Sequence, residues 1–180
     1  MRWERLFADL EAQYDAAAQA ELAAEVADRS RREIATIRLA DRIRASAGDV
    51  QLGVIGSEPV RGTITASGPD WVLVADGAAE VLVPLGALSW ARDLSTVADP
   101  ATSAVAAKLN LGYALRGIAR DRAEVTVALR SGDRVTGTVD RVGADFVDLA
   151  EHPLGEPRRT GAVHSIRTIA FDALAALRRQ

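Results

Sequence analysis

The chain has 180 residues, 48% hydrophobic and 26% charged, with a mean hydropathy of +0.03 and a formal charge of −3. That balance fits one or two compact domains and excludes a fully disordered chain. The absence of cysteine excludes disulfides, thiolate catalysis and cysteine-ligated zinc. The longest apolar run, residues 81–88, is interrupted by Pro84 and far too short for a bilayer span.

Residues 2–47 contain neither Pro nor Gly and are rich in Ala, Glu, Arg and Leu, the strongest helix formers. Trp3, Phe7, Leu10, Tyr14 and Ala17 recur at spacings of four and three, a stripe with coiled-coil character. It resumes in another phase at Leu22 and Val26, then at Ile34, Ile37 and Ile43. One uninterrupted helix would be ~66 Å long at 1.5 Å per residue, and residues 28–30 are the natural break within it. Two readings fit the stripe equally: a dimerising or docking arm led by Trp3, Phe7, Leu10 and Tyr14, or a helix packed on its own domain. The start of the chain alternates charge with apolar residues and lacks an apolar signal core, which predicts a cytoplasmic protein.

Charge is segregated along the chain. Residues 1–28 hold two Arg against seven acids, and residues 29–48 hold six Arg against Glu33 and Asp41. Residues 49–103 are again acidic and residues 104–180 basic. Arg31, Arg38, Arg42, Arg130 and Arg134 are the candidate phosphate contacts, because guanidinium forks suit phosphate oxygens. Surface charge is more commonly plain solvation, so nucleic acid is a possible partner and not the favoured one.

The most informative feature is an internal repeat. Residues 50–94 align with 125–169 at a constant offset of 75, with 11 identities in 45 pairs and no gap. Val60/Val135, Gly62/Gly137, Thr63/Thr138, Gly68/Gly143, Asp70/Asp145 and Val72/Val147 carry the pattern, with Trp71 opposite Phe146 and Leu88 opposite Val163. Alternating apolar residues predict strands at 50–55, 60–66, 71–75, 80–83 and 87–92 in the first copy. Counterparts in the second begin at Val125 and end at residues 163–169, after a polar loop over 152–159. Gly62 and Gly137, each inside a strand, mark sharp bends. A helix precedes each copy, at 31–46 and at about 103–120, and a short helix is predicted over 171–179 after the second.

The fold class expected is α+β: an N-terminal helical arm at 1–30, then two helix-plus-five-strand units at 31–96 and 97–180. The segment VTVALRSGDRVTGTVDRVGADFVDL, residues 125–149, resembles the first motif of Sm-like proteins, an SH3-related small barrel. The resemblance covers both halves of residues 31–170 and implies two separate barrels; dissimilar topologies in the two halves, or their merging into one continuous sheet, would collapse the case. The Asp and Asn by which Sm proteins hold RNA are replaced by Gly143 and Val147, and by Gly68 and Val72, while the second motif's Arg-Gly pair is missing. The whole chain resembles a family of uncharacterised actinobacterial proteins with WERLFADLEAQ-type and ALRGIARDRAEVTV-type segments, here residues 3–13 and 114–127. Some of those carry a Fis-type regulator label, yet one short helix after Ile169 cannot supply a helix-turn-helix.

No chemistry emerges. Gly132 and Gly137 mimic part of a phosphate loop without its Lys, and no Gly-x-Ser-x-Gly elbow exists. His152 and His164 with Asp148 or Glu151 make a sparse metal or acid–base set. Asp70 and Asp145 suit a shared turn hydrogen bond made by the side chain. The sequence therefore points to a non-catalytic assembly or adaptor protein, without cofactor or metal and not at a membrane. It would form homo-oligomers and hold an unidentified protein through the arm. A nucleic-acid-binding regulator using Arg29–Arg44 and Arg116–Arg134 is the alternative.

Overall fold

The computed structural model describes residues 2–100, 108–153, 155 and 165–179. The chain divides into two compact units, residues 1–37 and 38–180.

The first unit is one helix, α1 (Arg2–Thr36). The break foreseen at residues 28–30 does not occur there. Arg31 pairs with Asp28 and Arg29 with Glu33 (3.2 Å), so one-turn ion pairs carry the helix through that stretch. It ends where the β-branched Thr36 and Ile37 meet Arg38, whose backbone is extended (φ −93°, ψ 150°).

The second unit begins with a short helix, α2 (Leu39–Arg44), which buries Ile43 completely. Five strands follow: β1 (Asp49–Val54), β2 (Val60–Ser67), β3 (Trp71–Asp76), β4 (Ala79–Pro84) and β5 (Leu88–Arg92), with a 3₁₀ turn over Leu85–Ala87. Helix α3 (Leu111–Asp121) is capped by Asn110, whose side chain accepts the Tyr113 amide (3.1 Å). The helix expected from about residue 103 begins only at Leu111, because Asn110 is extended (φ −74°, ψ 175°) and caps it; residues 101–107 lie outside the described residues. The second series is β6 (Glu124–Leu129), β7 (Arg134–Val142), β8 (Phe146–Glu151), β9 (Ser165–Ala170) and, after a 3₁₀ turn over Phe171–Ala173, β10 (Leu174–Arg179).

All ten strands lie in one open antiparallel sheet, ordered β5-β1-β2-β3-β4-β10-β6-β7-β8-β9. Where two barrels were expected, the strand pairing gives a single sheet that does not close on itself. Each half nonetheless keeps the same order: fifth strand, then first to fourth. The halves meet where β4 pairs with β10.

Two details of the repeat recur in three dimensions. A Cβ on Gly62 would lie 1.8 Å from the Ala75 carbonyl oxygen, and one on Gly137 would lie 2.1 Å from that of Ala150. Only glycine lets the neighbouring strand approach so closely. Just beyond each glycine the register slips, between Ile64 and Ala66 on β2 and between Val139 and Arg141 on β7. These bulges sharpen the bend at matching places.

Two sequence expectations are corrected here. The offset of 75 holds through the third strand of each half but becomes 86 from the fourth (Ala79 to Ser165), because 13 residues separate β8 from β9 where 2 separate β3 from β4. Leu88 therefore corresponds to Leu174, not to Val163, and residues 163–164 lie outside the described residues. Residues 171–179, expected as a terminal helix, form the 3₁₀ turn and β10 instead. Their Ala and Leu content favours helix locally, but pairing on both sides and burial of Leu174, Ala175, Ala176 and Leu177 outweigh it. Residues 171–179 therefore supply no α-helix to a helix-turn-helix.

Burial crosses the joint. One core cluster gathers Ile43, Leu52, Val72 and Val83 with Ala128, Ala175 and Ala176 from the second half. The other gathers Leu115, Val127, Leu149 and Leu174 with Trp71 and Leu82 from the first. Residues 38–180 thus pack as one body.

Candidate functional site

The joint between the halves is the best-defined recognition geometry in the molecule. Leu82 lies opposite Leu177, Val81 opposite Arg178 and Glu80 opposite Arg179. Arg178 reaches Asp76 (2.7 Å), and Arg179 is held between Glu80 (3.1 Å) and Asp121 (2.7 Å). Trp71 is buried against α3 and donates its indole N–H to the Leu109 carbonyl oxygen (2.7 Å). Asp70 accepts the Leu111 amide (2.8 Å) on its carboxylate. Partial burial holds the Asp70 carboxyl above its ordinary value, although the Leu111 amide and its own N–H pull it down.

The hydrogen bond that Asp70 and Asp145 share is made by the main chain, not by the side chain. Their carbonyl oxygens accept the amides of Leu85 (2.8 Å) and Phe171 (2.7 Å). In the second half Asp145 and Phe146 are exposed, where Trp71 in the first is buried against α3.

The sheet edges are the strands that would repeat this joint. Edge β9 corresponds to β4, and edge β5 corresponds to β10. β9 exposes Ile166 and pairs Arg167 with Glu151 (2.6 Å), which pushes the Arg167 guanidinium still higher. β5 exposes Trp90, with the Arg92 guanidinium 5.2 Å from its ring centroid.

The arm residues Trp3, Phe7, Leu10 and Tyr14 are all on α1, and each is more than half exposed. No described residue of α1 is buried.

The candidate phosphate contacts do not converge. Arg31 is on α1, paired with Asp28. Arg42 donates to the Ser95 carbonyl oxygen (2.8 Å), holding the chain after β5 against α2. Arg130 reaches the Leu174 carbonyl oxygen (3.4 Å), and Arg134 pairs with Glu58 (3.3 Å). Arg38 is exposed. What the structure does gather is a cleft of four other arginines, Arg116, Arg120, Arg122 and Arg141, beside Tyr113 and Asp140. Arg116 and Arg120 lie four residues apart on α3, a spacing the sequence displays, and Arg122 is the C-cap of that helix. Arg141 joins them through the bulge on β7, which no local pattern announces.

On the other side of α3 is an apolar slot of about 240 Å³, floored by Leu73, Leu82 and Leu177 and walled by Trp71, Tyr113 and Ile118. His152 is buried and structural. Its Nδ1 donates to the Pro153 carbonyl oxygen (3.0 Å), leaving Nε2 to accept from the Thr138 hydroxyl (2.8 Å) in the neutral ring. His164 lies outside the described residues, and among the described residues no three potential metal ligands cluster. No described helix is long and apolar enough to cross a membrane. No protein-family model and no curated protein matches the chain.

Proposed function

We propose that the chain is a non-catalytic cytoplasmic assembly protein that self-associates through the edges of its sheet, each half being an Sm-like small barrel. The barrel reading rests on the shared strand order, the paired bend glycines and the paired bulges. Membership of the actinobacterial family with the same segments belongs to this reading.

The observation that carries self-association is the joint itself. One chain already joins two equivalent units by β4 and β10, and it leaves the equivalent strands β9 and β5 at its two edges. Repeating the same operation between copies places β9 of one against β5 of the next. Unpaired strand edges are templates for such addition. Arg92 and Glu151 occupy the positions matching Arg178 and Asp76, with Glu151 already engaged by Arg167. Three chains would make a ring of six units; an open chain of copies uses the same contact.

Light scattering on the full chain at micromolar concentration tests this. We expect a mass above the monomer, lowered by Ile166→Lys, which puts a charge on the β9 edge. A monomer would overturn the reading.

A nucleic-acid-binding regulator is favoured by one observation, the arginine cleft beside α3. Against it, Arg42, Arg130 and Arg134 are engaged within the fold. Shift assays across a salt series separate the two, because phosphate contacts weaken steeply with salt.

A further inference from the structure

We infer that the cleft and slot flanking α3 receive the acidic, aromatic-bearing first half of α1 from a second copy of the chain. The inference rests on the self-association reading and names a second contact for it, separate from the sheet edges.

The first half of α1 needs a partner. Trp3, Phe7, Leu10 and Tyr14 fall on one face of the helix, and all are exposed. A surface stripe of this size with three aromatics ordinarily marks an interaction site. Another α1 is a poor occupant. Alongside in parallel, it would bring Glu11 and Asp15 next to their own copies. Run antiparallel, it would offer the stripe residues 20–34. At 100° per residue, the same face there carries Glu21, Glu25 and Asp28 with one basic residue, Arg32. The stripe ends after residue 17 and resumes on another face, so a long symmetric coiled coil has no continuous seam.

Charge narrows the partner further. Residues 1–28 hold seven acids against two arginines, so a complementary surface must be basic. The cleft beside α3 sets four arginines against one aspartate. No ion pair between described residues engages Arg116, Arg120, Arg122 or Arg141; the pairs run elsewhere. Tyr113 belongs to both the cleft and the apolar slot, so the two form one surface around α3. The slot is of a size for one aromatic side chain and also carries Glu80, Asp121 and Arg179; the four arginines form a cationic rim on the other side of α3, with Tyr113 between. An amphipathic helix with an aromatic anchor and acidic flanks is the ligand such a groove recognises. A nucleic acid would use the rim but leave the apolar slot unfilled.

Charge reversal in the full chain tests this by sedimentation velocity at low salt. Glu11→Arg/Asp15→Arg and Arg116→Glu/Arg120→Glu change only exposed side chains. We expect each variant alone to lose about tenfold in self-association. An equimolar mixture should regain it, since the reversed arm of one faces the reversed cleft of the other. Thermal melts of each variant check the fold, and recovery in the mixture cannot come from a misfolded chain. If both variants keep the wild-type mass while Ile166→Lys lowers it, this contact is wrong and edge assembly stands. If the mixture fails to recover, or if the arginine variant loses only binding to a DNA or RNA oligonucleotide, the inference is overturned. A monomeric wild type overturns both readings together.

Discussion

Leu177→Ala probes the joint most directly. Leu177 is 3% exposed, sits opposite Leu82 and belongs to the core that also holds Trp71 and Leu115. Truncation to alanine removes three carbons, about 2.4 kcal/mol of transfer free energy at ~0.8 kcal/mol per methylene. The cavity left in a sheet that cannot collapse adds to that, bringing the cost to ~3–4 kcal/mol within the usual range for buried leucine. For a unit of this size, each kcal/mol lowers Tm by roughly 2–4 °C, so a fall of about 6–16 °C is expected. Urea unfolding followed by tryptophan fluorescence is the assay, in a Trp3→Phe background so that only Trp71 and Trp90 report. Trp71 reports on the second core and Trp90 on the far edge of the first half. Because burial crosses the joint, both should report one transition, shifted equally by Leu177→Ala. A loss below about 1 kcal/mol would mean that residues 174–179 are peripheral, as in a terminal helix. Two separate transitions would refute the single packed body. Both results are open to direct observation.

Gly137→Ala should cost ~1–3 kcal/mol, because its Cβ would collide with the Ala150 carbonyl oxygen on a strand that has nowhere to move. Gly62→Ala should cost more, since Gly62 also has φ +150°, which adds backbone strain; chemical denaturation of both variants checks the order. Asp70→Asn keeps an acceptor for the Leu111 amide while removing the charge. With its folded pKa raised, Asp70 binds its proton more tightly in the native state, so wild-type stability falls as pH rises from the ordinary carboxyl range through that raised value. Wild type should therefore lose stability relative to Asp70→Asn over that window, measured as the difference between their denaturation midpoints at a series of pH values.

The first half was legible because its strands alternate and its turns are short. Expected strands at 60–66 and 71–75 correspond to β2 and β3, and the bend glycines sit where the repeat puts them. The second half was legible as far as β8, and the strand expected at 163–169 corresponds to β9, which is fourth in its half and not fifth. A gap-free alignment held identities at Gly86/Gly161 and Ala87/Ala162 that arise from common residue types, and these hid the 11 extra residues between β8 and β9. β10 was misread because LAAL has no two-residue alternation to show: a strand buried on both faces is apolar throughout and looks like helix. The same reasoning applied to β4 would have revealed the joint. Val81, Leu82 and Val83 are consecutive and all buried, a run that an edge strand with one wet face does not need. The arm's exposure was not legible, since an interface stripe and a core stripe share one pattern. The arginine cleft was half legible, through the spacing of Arg116 and Arg120 on α3.

The fusion of the halves into one sheet counts against two independent barrels but not against two equivalent units. What merges is an edge of each, and the strand order within each is intact. The composition of the open edges then sets the strength of any contact between copies. β4 brings Val81, Leu82 and Val83 to the internal joint, whereas β9 brings Arg167, Thr168 and Ile169 to the corresponding places. Arg167 is engaged with Glu151 and Thr168 with Asp148 (2.6 Å). Repeating the joint would set Arg92 opposite Arg167, where the internal joint sets Arg178 opposite Val81. Like charges opposed across strands are unfavourable, and Glu151 would have to serve both arginines. Edge pairing between copies must therefore be weaker than the pairing inside one chain, strengthened when a second contact such as the arm holds the copies together.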